Sequence, residues 1–332
     1  MVAPSIKHSP GWGPEFDVEA AVVEKDSFNK LDVDLEAIAE SEDNHPHAMA
    51  ARDSQTRSDI ADRLVEKINS VIDIPYKTTE PTSPALQELR EKGVFRLKPA
   101  LSTRQIKEIK EFLKDKPVCN QHVPPGQSSG PLEKATSRFN SYFPEDTLAC
   151  PHLLEEIALN KDILAIVAEY LGCMPSLYSI NVFWMLSKFT PSSVSGIQQF
   201  HRDYDDYKNV VVFLYLTDVS ADDAPHMFVT ESHKVKLKDE SSQSHDESKV
   251  VILTGLEGST FVEDVYGMHS GGSGNKLKKD RLVVWFRFGL HRNYPTKIQT
   301  RRPVPLSLIE HKNLSFDKYT KFITRFLVNH NE

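Results

Sequence analysis

Cysteine is scarce in this sequence, with Cys119, Cys150 and Cys173 spread over 332 residues and no paired spacing. That scarcity argues against a disulfide framework and against a cysteine-rich zinc site, and it indicates a reducing compartment. Long apolar runs are missing too, since the longest, Val210 to Leu216, is far too short to span a bilayer. Residues 1–16 contain no apolar core of a secretory signal. We therefore expect a cytoplasmic protein that is not membrane-bound.

Positive charge is not in excess either. The formal net charge is −7, and Lys and Arg gather only in short runs such as residues 276–281. A protein that binds DNA or RNA through phosphate contacts needs an extended basic surface. The composition therefore argues against a nucleic-acid partner.

Composition and periodicity divide the chain into four parts. Ile60, Leu64, Ile68 and Ile72 recur at four-residue spacing, which is typical of an amphipathic helix. The predicted parts are an acidic segment that is poorly ordered or draped over the surface (1–52), an amphipathic helix and linker (53–85), the main domain (86–292) and a partly helical C-terminal extension (293–332).

The main domain begins with scaffold elements. Residues 94–97 are predicted to form a short strand, and Ser102 with Gln105 forms a capping-box pair at the start of the next helix. A further helix over residues 152–171 is predicted to break or restart near Asn160. None of these elements carries an obvious chemical function.

From residue 176 onward the pattern is that of a β protein. Runs rich in β-branched and aromatic residues are separated by turns, with no helix between them: 177–186, 210–216, 227–230, 250–254, 259–265 and 281–288. This arrangement predicts an antiparallel sandwich or barrel.

His201 and Asp203 stand just before one of the apolar runs. Residues two apart in an extended segment point to the same side, so an imidazole and a carboxylate placed in this way could bind one metal ion together. A second histidine would complete the two-His, one-carboxylate set of non-haem Fe(II) oxygenases. Zinc with the same ligands is the alternative metal.

The second histidine has to come from a later strand. His226 and His233 lie too close in sequence for a separate strand to cross the barrel and return, and His245 lies in a polar insertion. His269 ends a predicted strand and precedes a glycine-rich turn. We therefore predict His269 as the third ligand.

Two arginines are predicted to point into the barrel. Alternation along the last strand places Arg281, Val283, Trp285 and Arg287 on one face. An inward Arg is costly unless an anion meets it, and a guanidinium matches a carboxylate with two parallel hydrogen bonds. The 5-carboxylate of 2-oxoglutarate is the anion that we expect; an Arg at the barrel rim paired with Asp or Glu is the alternative.

The order His201-x-Asp203, then His269, then Arg281 resembles the phytanoyl-CoA dioxygenase family of Fe(II)/2-oxoglutarate oxygenases. Residues 93–106 resemble the opening strand and helix of that family, with its "G-(F/V)-hydrophobic … L-S" pattern. The resemblance covers about residues 86–292.

A third segment matches in the same order. Residues 224–234 resemble the family pattern "G-x-L-x-hydrophobic-x-P-G-S-H", which is mostly architectural, so His233 is interpreted as structural. Thr230 and Glu231 stand where the family has Pro and Gly.

The resemblance implies a mainly β protein with flanking helices and a double-stranded β-helix (jelly-roll, cupin-like) core. It implies iron bound by His201, Asp203 and His269, with 2-oxoglutarate and O₂ as co-substrates. Arg281 is expected to hold 2-oxoglutarate; because its spacing from His269 is longer than usual, Arg287 is the alternative.

Relatives such as ectoine hydroxylase suggest further co-substrate contacts. Asn181 matches an Asn on the strand before residues 201–203, the turn that carries the first two metal ligands and is called the metal turn below. Either Ser270 or Ser273 matches a Ser near the distal His. Candidate contacts to the substrate are Arg138, Tyr142 and Tyr204.

The expected reaction is oxidation of a C–H bond of a small molecule, most simply hydroxylation, with release of succinate and CO₂. Halogenating relatives replace the carboxylate ligand by Gly or Ala, whereas Asp203 is present here. The absence of a basic patch disfavours a CoA ester and favours a small polar substrate or a natural product of secondary metabolism. A non-catalytic jelly-roll binding protein and a zinc-dependent cupin-like hydrolase are the alternatives.

Overall fold

The computed structural model of the chain describes residues 18–40, 54–80, 82–119, 130–132, 142–143, 149–187, 199–235, 245–272, 277–291, 304–305 and 317–330. Two predicted site residues, Arg138 and Ser273, lie outside these ranges.

The core consists of two antiparallel sheets. In chain order the described strands are β1 (Val94–Leu97), β2 (Ser176–Met185), β3 (Asn209–Tyr215), β4 (His226–Val229), β5 (Val250–Leu253), β6 (Thr260–Asp264), β7 (His269–Ser270), β8 (Arg281–Gly289), β9 (Val304–Pro305) and β10 (Val328–Asn329). One sheet has the order β1-β6-β3-β8-β2 and the other the order β5-β4-β7, while β9 and β10 form a separate parallel pair. Each strand predicted from the sequence corresponds to one of these, with bounds that agree to within a residue.

The two sheets enclose an aromatic interior. Phe183, Phe213, Tyr215 and Phe261 from the larger sheet are buried there together, and Leu253 from the smaller sheet packs against them. The Tyr215 hydroxyl donates a hydrogen bond to the Leu253 carbonyl oxygen at 2.8 Å, which joins the two sheets directly. The architecture is therefore the predicted double-stranded β-helix with flanking helices.

Strand β8 lies between β3 and β2 and shows the predicted alternation. Leu282, Val284, Phe286 and Phe288 belong to the core that the sheet shares with the helices. Val283 and its neighbours on the opposite face belong to the barrel interior.

Helices cover the outer face of the larger sheet. They are α1 (Val18–Glu40), α2 (Ser54–Asn69), α3 (Ser83–Lys92), α4 (Thr103–Leu113), α5 (Lys161–Leu171) and α6 (Lys318–Thr324). The capping box of α4 is confirmed, because the Ser102 side chain accepts from Gln105 N while the Gln105 side chain bonds back to Ser102 N. Asn160 caps α5 as predicted, and the turn before it, Leu153–Ala158, is a π-helix.

Helix α1 differs from the expectation for the acidic N-terminal segment. The sequence indicated a segment that is poorly ordered or draped over the surface, whereas Leu31, Leu35 and Ala39 are fully buried in the helical layer. Their four-residue spacing gives one apolar stripe, and burial of that stripe outweighs the acidic composition around it.

The two ends of the chain pack against each other beside β2. Arg325 forms an ion pair with Asp32 at 2.9 Å and also donates to the Ser176 hydroxyl. The Phe28 and Phe322 rings meet edge to face, with centroids 5.3 Å apart. Among the described residues, no helix has both the length and the apolar character needed to cross a bilayer.

Candidate metal centre

The metal turn and the short strand β7 are joined through their backbones. His201 N donates to the His269 carbonyl oxygen and His269 N donates to the His201 carbonyl oxygen, both at 2.9 Å. Asp203 N donates to the Val265 carbonyl oxygen, also at 2.9 Å. The relative position of the two segments is therefore set by backbone pairing, independently of any metal.

The three predicted ligands converge. One ligand atom from each of His201, Asp203 and His269 can be chosen so that all lie within 4.8 Å of one another. The Nε2 atoms of His201 and His269 lie 3.5 and 3.8 Å from the two Asp203 carboxylate oxygens. Since bonds from these atoms to a divalent metal are about 2 Å long, the three side chains are close to the spacing that one ion requires.

Both imidazoles present the nitrogen that a metal needs. His201 Nδ1 lies 2.8 Å from the Gln199 carbonyl oxygen, and His269 Nδ1 lies 2.9 Å from the Gly267 carbonyl oxygen. A carbonyl oxygen only accepts, so each Nδ1 carries the proton and donates. Each Nε2 then keeps its lone pair, which is the usual outer-shell arrangement of a metal-binding histidine.

The electrostatics favour the metal-binding protonation states. Burial works to raise the pKa of Asp203, but the His269 and His201 imidazoles and the Arg287 guanidinium together hold it below its usual value. Burial lowers the pKa of His269, although the Asp203 charge opposes the change. At neutral pH the site therefore presents an ionised carboxylate and a neutral imidazole at these two positions.

The centre is open on one side. The His201 and Asp203 side chains are about one quarter exposed, with relative areas of 25% and 24%, whereas His269 is buried at 6%. A small molecule can therefore reach the metal turn from solvent, while the His269 side is closed by the protein.

Asn181 lies in a polar network within the barrel. Its side-chain oxygen accepts from an Arg287 Nη atom at 2.7 Å and from the Ser179 hydroxyl at 3.0 Å. An Arg only donates, so the orientation of the Asn181 amide is determined. Its Nδ2 atom is buried with no hydrogen-bond partner among the described residues. A buried donor without a partner costs about 1–3 kcal/mol, so this atom is available to a bound acceptor.

The two inward arginines differ in their surroundings. Arg287 Nε lies 3.3 Å from an Asp205 carboxylate oxygen. Burial raises the pKa of Asp205 to about 6, with a further contribution from the Asp203 charge, while Arg287 opposes the change.

Arg281, by contrast, donates to backbone carbonyl oxygens. Its guanidinium bonds to those of Ala224 and Gly271, the latter at 2.9 Å, and contacts the Met185 sulfur. The guanidinium also lies 5.8 Å from the centre of the Tyr215 ring. These contacts hold Arg281 in the barrel interior, as the alternation along β8 predicted.

Three other predicted contacts lie within the described residues. Ser270 is fully buried on β7, next to His269. Tyr142 is buried in the barrel interior and stacks on Phe183, with centroids 4.8 Å apart. Tyr204 is half-buried and meets the Tyr266 ring edge to face at 5.7 Å.

A buried pair beside the metal centre was not predicted. His226 Nε2 lies 2.9 Å from a Glu263 carboxylate oxygen, and the His226 ring lies nearly parallel to that of His269, with centroids 5.6 Å apart. His226 was set aside because its strand had too few residues to cross and return. His226 is outside the cluster of possible ligands found among the described residues. The reason given for setting it aside is wrong, because a separate strand, β4, does carry His226 and pairs directly with β7. The sequence did mark this position as unusual, since His226 stands where the family pattern has Leu.

The fold and the site together define a double-stranded β-helix with a His-Asp-His cluster able to hold a metal ion. No protein-family model and no curated protein matches the chain. Similarity was found only to solved structures.

Three solved structures illustrate that similarity. The non-heme alpha ketoglutarate dependent epimerase SnoN from nogalamycin biosynthesis is 15% identical, with a TM-score of 0.45 over 62% of this chain and 82% of its own. EctD from S. alaskensis with bound Fe is 15% identical, with a TM-score of 0.47 over 65% and 80%. AviO1 from Streptomyces viridochromogenes Tue57 is 15% identical, with a TM-score of 0.43 over 64% and 96%.

Proposed function

We propose that this chain is an Fe(II)- and 2-oxoglutarate-dependent dioxygenase that oxidises, most simply by hydroxylation, a C–H bond of a small molecule and releases succinate and CO₂. The observation that carries the proposal is the convergence of His201, Asp203 and His269 at one end of a jelly-roll barrel. Two imidazoles and one carboxylate on one face of a metal, with the other positions open, form the donor set of this class of iron enzyme.

The net charge of Fe(II) with these three ligands suits the charge of the co-substrate. Two neutral imidazoles and one carboxylate leave Fe(II) with a residual positive charge, which favours a dianionic oxo-acid. The unpartnered Nδ2 atom of Asn181 supports a bound oxygen acceptor in the same barrel. Metal and co-substrate would thus be held by groups that the folded chain already presents.

When bound, the iron and 2-oxoglutarate supply the oxidising chemistry, and the chain supplies binding, orientation and exclusion of water. His201, Asp203 and His269 would hold the metal. Asn181 would donate to a co-substrate oxygen, and a serine beside His269, either Ser270 or Ser273, would add a hydroxyl contact.

Arg281 is the stronger candidate for the distal carboxylate of 2-oxoglutarate. Arg287 pairs with the Asp205 carboxylate and the Asn181 oxygen, so a carboxylate ligand at Arg287 would meet the negative charge of Asp205. Arg281, by contrast, donates to the Ala224 and Gly271 carbonyl oxygens. Arg281 stands at the matching position of the family motif and begins β8 within the barrel. Two parallel hydrogen bonds from its guanidinium would fix that end of the co-substrate.

The substrate would enter from the open side of the metal turn. Tyr204 flanks that turn and Tyr142 lies in the barrel interior, so both remain candidate contacts, together with Arg138. We infer a small polar substrate or a natural product, because Lys and Arg gather only in short runs of the sequence, which give no clear basic patch for a CoA moiety.

Anaerobic titration tests the metal site and the co-substrate site together. Addition of Fe(II) and 2-oxoglutarate to the purified protein is expected to produce a weak visible charge-transfer band, which His201→Ala abolishes. His152→Ala is the matched control, because His152 pairs with Glu108 on α4 and is outside the metal cluster. The control is expected to keep the band at wild-type intensity.

Two further readouts separate the alternatives. Succinate release that requires O₂ excludes a zinc-dependent hydrolase on the same barrel. A protein that binds neither Fe(II) nor 2-oxoglutarate would instead be a non-catalytic jelly-roll binding protein. A screen of small molecules for succinate production above the uncoupled background would then identify the substrate class.

A further inference from the structure

A helix that precedes the jelly roll in sequence contacts both segments that carry the metal ligands. Arg57 of α2 donates to the Tyr207 carbonyl oxygen at 3.1 Å, and its guanidinium carbon lies 3.3 Å from the centre of the Tyr266 ring. Tyr207 comes four positions after Asp203, and Tyr266 comes three positions before His269. One side chain from outside the barrel therefore joins the two ligand-bearing segments.

The Tyr266 ring depends on these stacking contacts for its position. Arg202, the residue between His201 and Asp203, also lies over the ring, at 5.0 Å from its centre. The Tyr266 hydroxyl is buried and has no hydrogen-bond partner among the described residues. Guanidinium groups from α2 and from the metal turn thus meet at one ring, and cation–π contacts of this kind are strongest where water is excluded.

Arg202 extends the same connection to the turn itself. It donates to the Ser232 carbonyl oxygen at 2.8 Å and to the Tyr266 carbonyl oxygen. Side chains alternate along an extended segment, so Arg202 faces away from its neighbours His201 and Asp203. The back of the metal turn is therefore held by Arg202 and Tyr266, and Arg57 contacts that assembly from outside.

A second contact comes from helix α1. The Tyr207 hydroxyl donates to the Ala39 carbonyl oxygen at 3.0 Å, and Tyr207 is almost completely buried. The segment after Asp203 is thus attached to α1 through its side chain and to α2 through its backbone. Both contacts come from parts of the chain outside the predicted main domain.

We propose that Arg57 is a positioning residue of the metal centre, so that the N-terminal helices are part of the site. Arg57 contacts the segment after Asp203 and the turn before His269 at the same time, so it reinforces from outside the separation that the backbone pairing gives these two ligand-bearing segments. Removing a group that hydrogen-bonds to a metal ligand commonly weakens metal binding about 10–100-fold. Arg57 contacts residues near the ligands rather than the ligands themselves, so we expect the lower end of that range, about 10-fold. The inference rests on the metal-dependent function proposed above.

The test measures Co(II) affinity and the visible Co(II) spectrum of the full-length, metal-free protein. Arg57→Ala is expected to weaken Co(II) binding about 10-fold. Arg57→Lys keeps the charge but loses the planar stack, and it is expected to restore part of the affinity.

Arg325→Ala is the matched control, because it removes an ion pair with Asp32 from the same helical layer. None of the contacts resolved for Arg325 reaches the segments that carry the metal ligands. The control is expected to bind Co(II) as the wild type does, with an unchanged spectrum, even where its thermal stability falls.

The outcomes are distinguishable. Equal Co(II) affinity in wild type and Arg57→Ala overturns the positioning role and leaves the proposed metal function standing. An equal loss in Arg57→Ala and Arg325→Ala also overturns it, because the effect would then be a general loosening of the helices. Failure of the wild type to bind Co(II) or Fe(II) overturns the proposed function itself.

Discussion

His226 and Glu263 form a hydrogen bond of 2.9 Å across the barrel interior, with only 5% and 2% of their surfaces exposed. The pair connects β4 of one sheet to β6 of the other. It also lies beside His269, whose ring is nearly parallel to that of His226. A buried hydrogen-bonded pair of this kind is costly to break by removal of one partner, yet it gives little stability over an apolar pair of the same size.

Removing one member of that pair is therefore expected to destabilise the fold more than removing both. His226→Leu leaves Glu263 buried without its partner, and we expect a loss of about 3–5 kcal/mol in the free energy of unfolding. The double variant His226→Leu/Glu263→Met is expected to recover most of that loss. Urea unfolding of the metal-free proteins measures both values, and a double variant no more stable than the single one would contradict the prediction.

Substitution of Arg281 and substitution of Arg287 by Ala are expected to have different effects. Arg281→Ala removes the proposed carboxylate contact, so 2-oxoglutarate affinity should fall about 10–100-fold while Fe(II) affinity is kept. Arg287→Ala leaves the Asp205 carboxylate without its ion-pair partner and removes one of the two hydrogen bonds that the Asn181 oxygen accepts, so the free energy of unfolding should fall by about 2–4 kcal/mol. Anaerobic titration and urea unfolding separate the two, and a reversed pattern would transfer the co-substrate role to Arg287.

Glu231 has a left-handed backbone with φ of 65°, at the position where the family pattern has Gly. Left-handed φ is strained for a residue with a Cβ atom, so Glu231→Gly is expected to raise the melting temperature by roughly 2–4 °C. The substitution also removes the exposed contact to Lys249, and Lys249→Ala controls for that loss. A melting temperature that falls in Glu231→Gly and is unchanged in Lys249→Ala would show that the backbone is not strained.

Metal affinity is expected to be independent of pH near neutrality and to decrease at acidic pH. The pKa of His269 lies below 6.5 and that of Asp203 below 3.8, so neither holds a proton to be displaced at pH 7. As the pH falls through about 6.5, protons begin to compete for imidazole. As the pH falls, His269 is protonated in the unfolded chain before it is protonated in the folded chain. The free energy of unfolding of the metal-free protein therefore also decreases as the pH falls. Co(II) titrations from pH 8 to 5.5 check this, and weakening between pH 8 and 7 would contradict it.

The barrel was predictable because its signals are local. Alternation along residues 281–288 placed both arginines inside, and the capping pair Ser102 and Gln105 marked the start of α4. The buried stripe of α1 was equally readable as Leu31, Leu35 and Ala39, but the acidic composition around it obscured the periodicity.

The metal cluster could be predicted from the sequence, whereas the contacts around it could not. His201 and Asp203 share a face through local geometry. His269 was selected from the later histidines because it ends a predicted strand before a glycine-rich turn, and the family motif agrees with that choice. The partners of Asn181 and Glu263 could not be read in this way. The contact of Asn181 with Arg287 depends on the register between β2 and β8, and the contact of Glu263 with His226 depends on how the two sheets pack face to face. Arg57 was missed for the same reason, since nothing near it in the chain indicates Tyr266.

The pairing of His201 with His269 makes the count of residues between His269 and Arg281 geometrically unimportant, since each side chain is placed by its own strand. Evolution can therefore lengthen or shorten the connection from β7 to β8 freely. Within β7, by contrast, a shift of one residue in the pairing with β4 would turn the His269 imidazole to the opposite face. Searches that demand a fixed spacing after the distal histidine will overlook metal-binding clusters built in this way, whereas searches that demand the strand registers will find them.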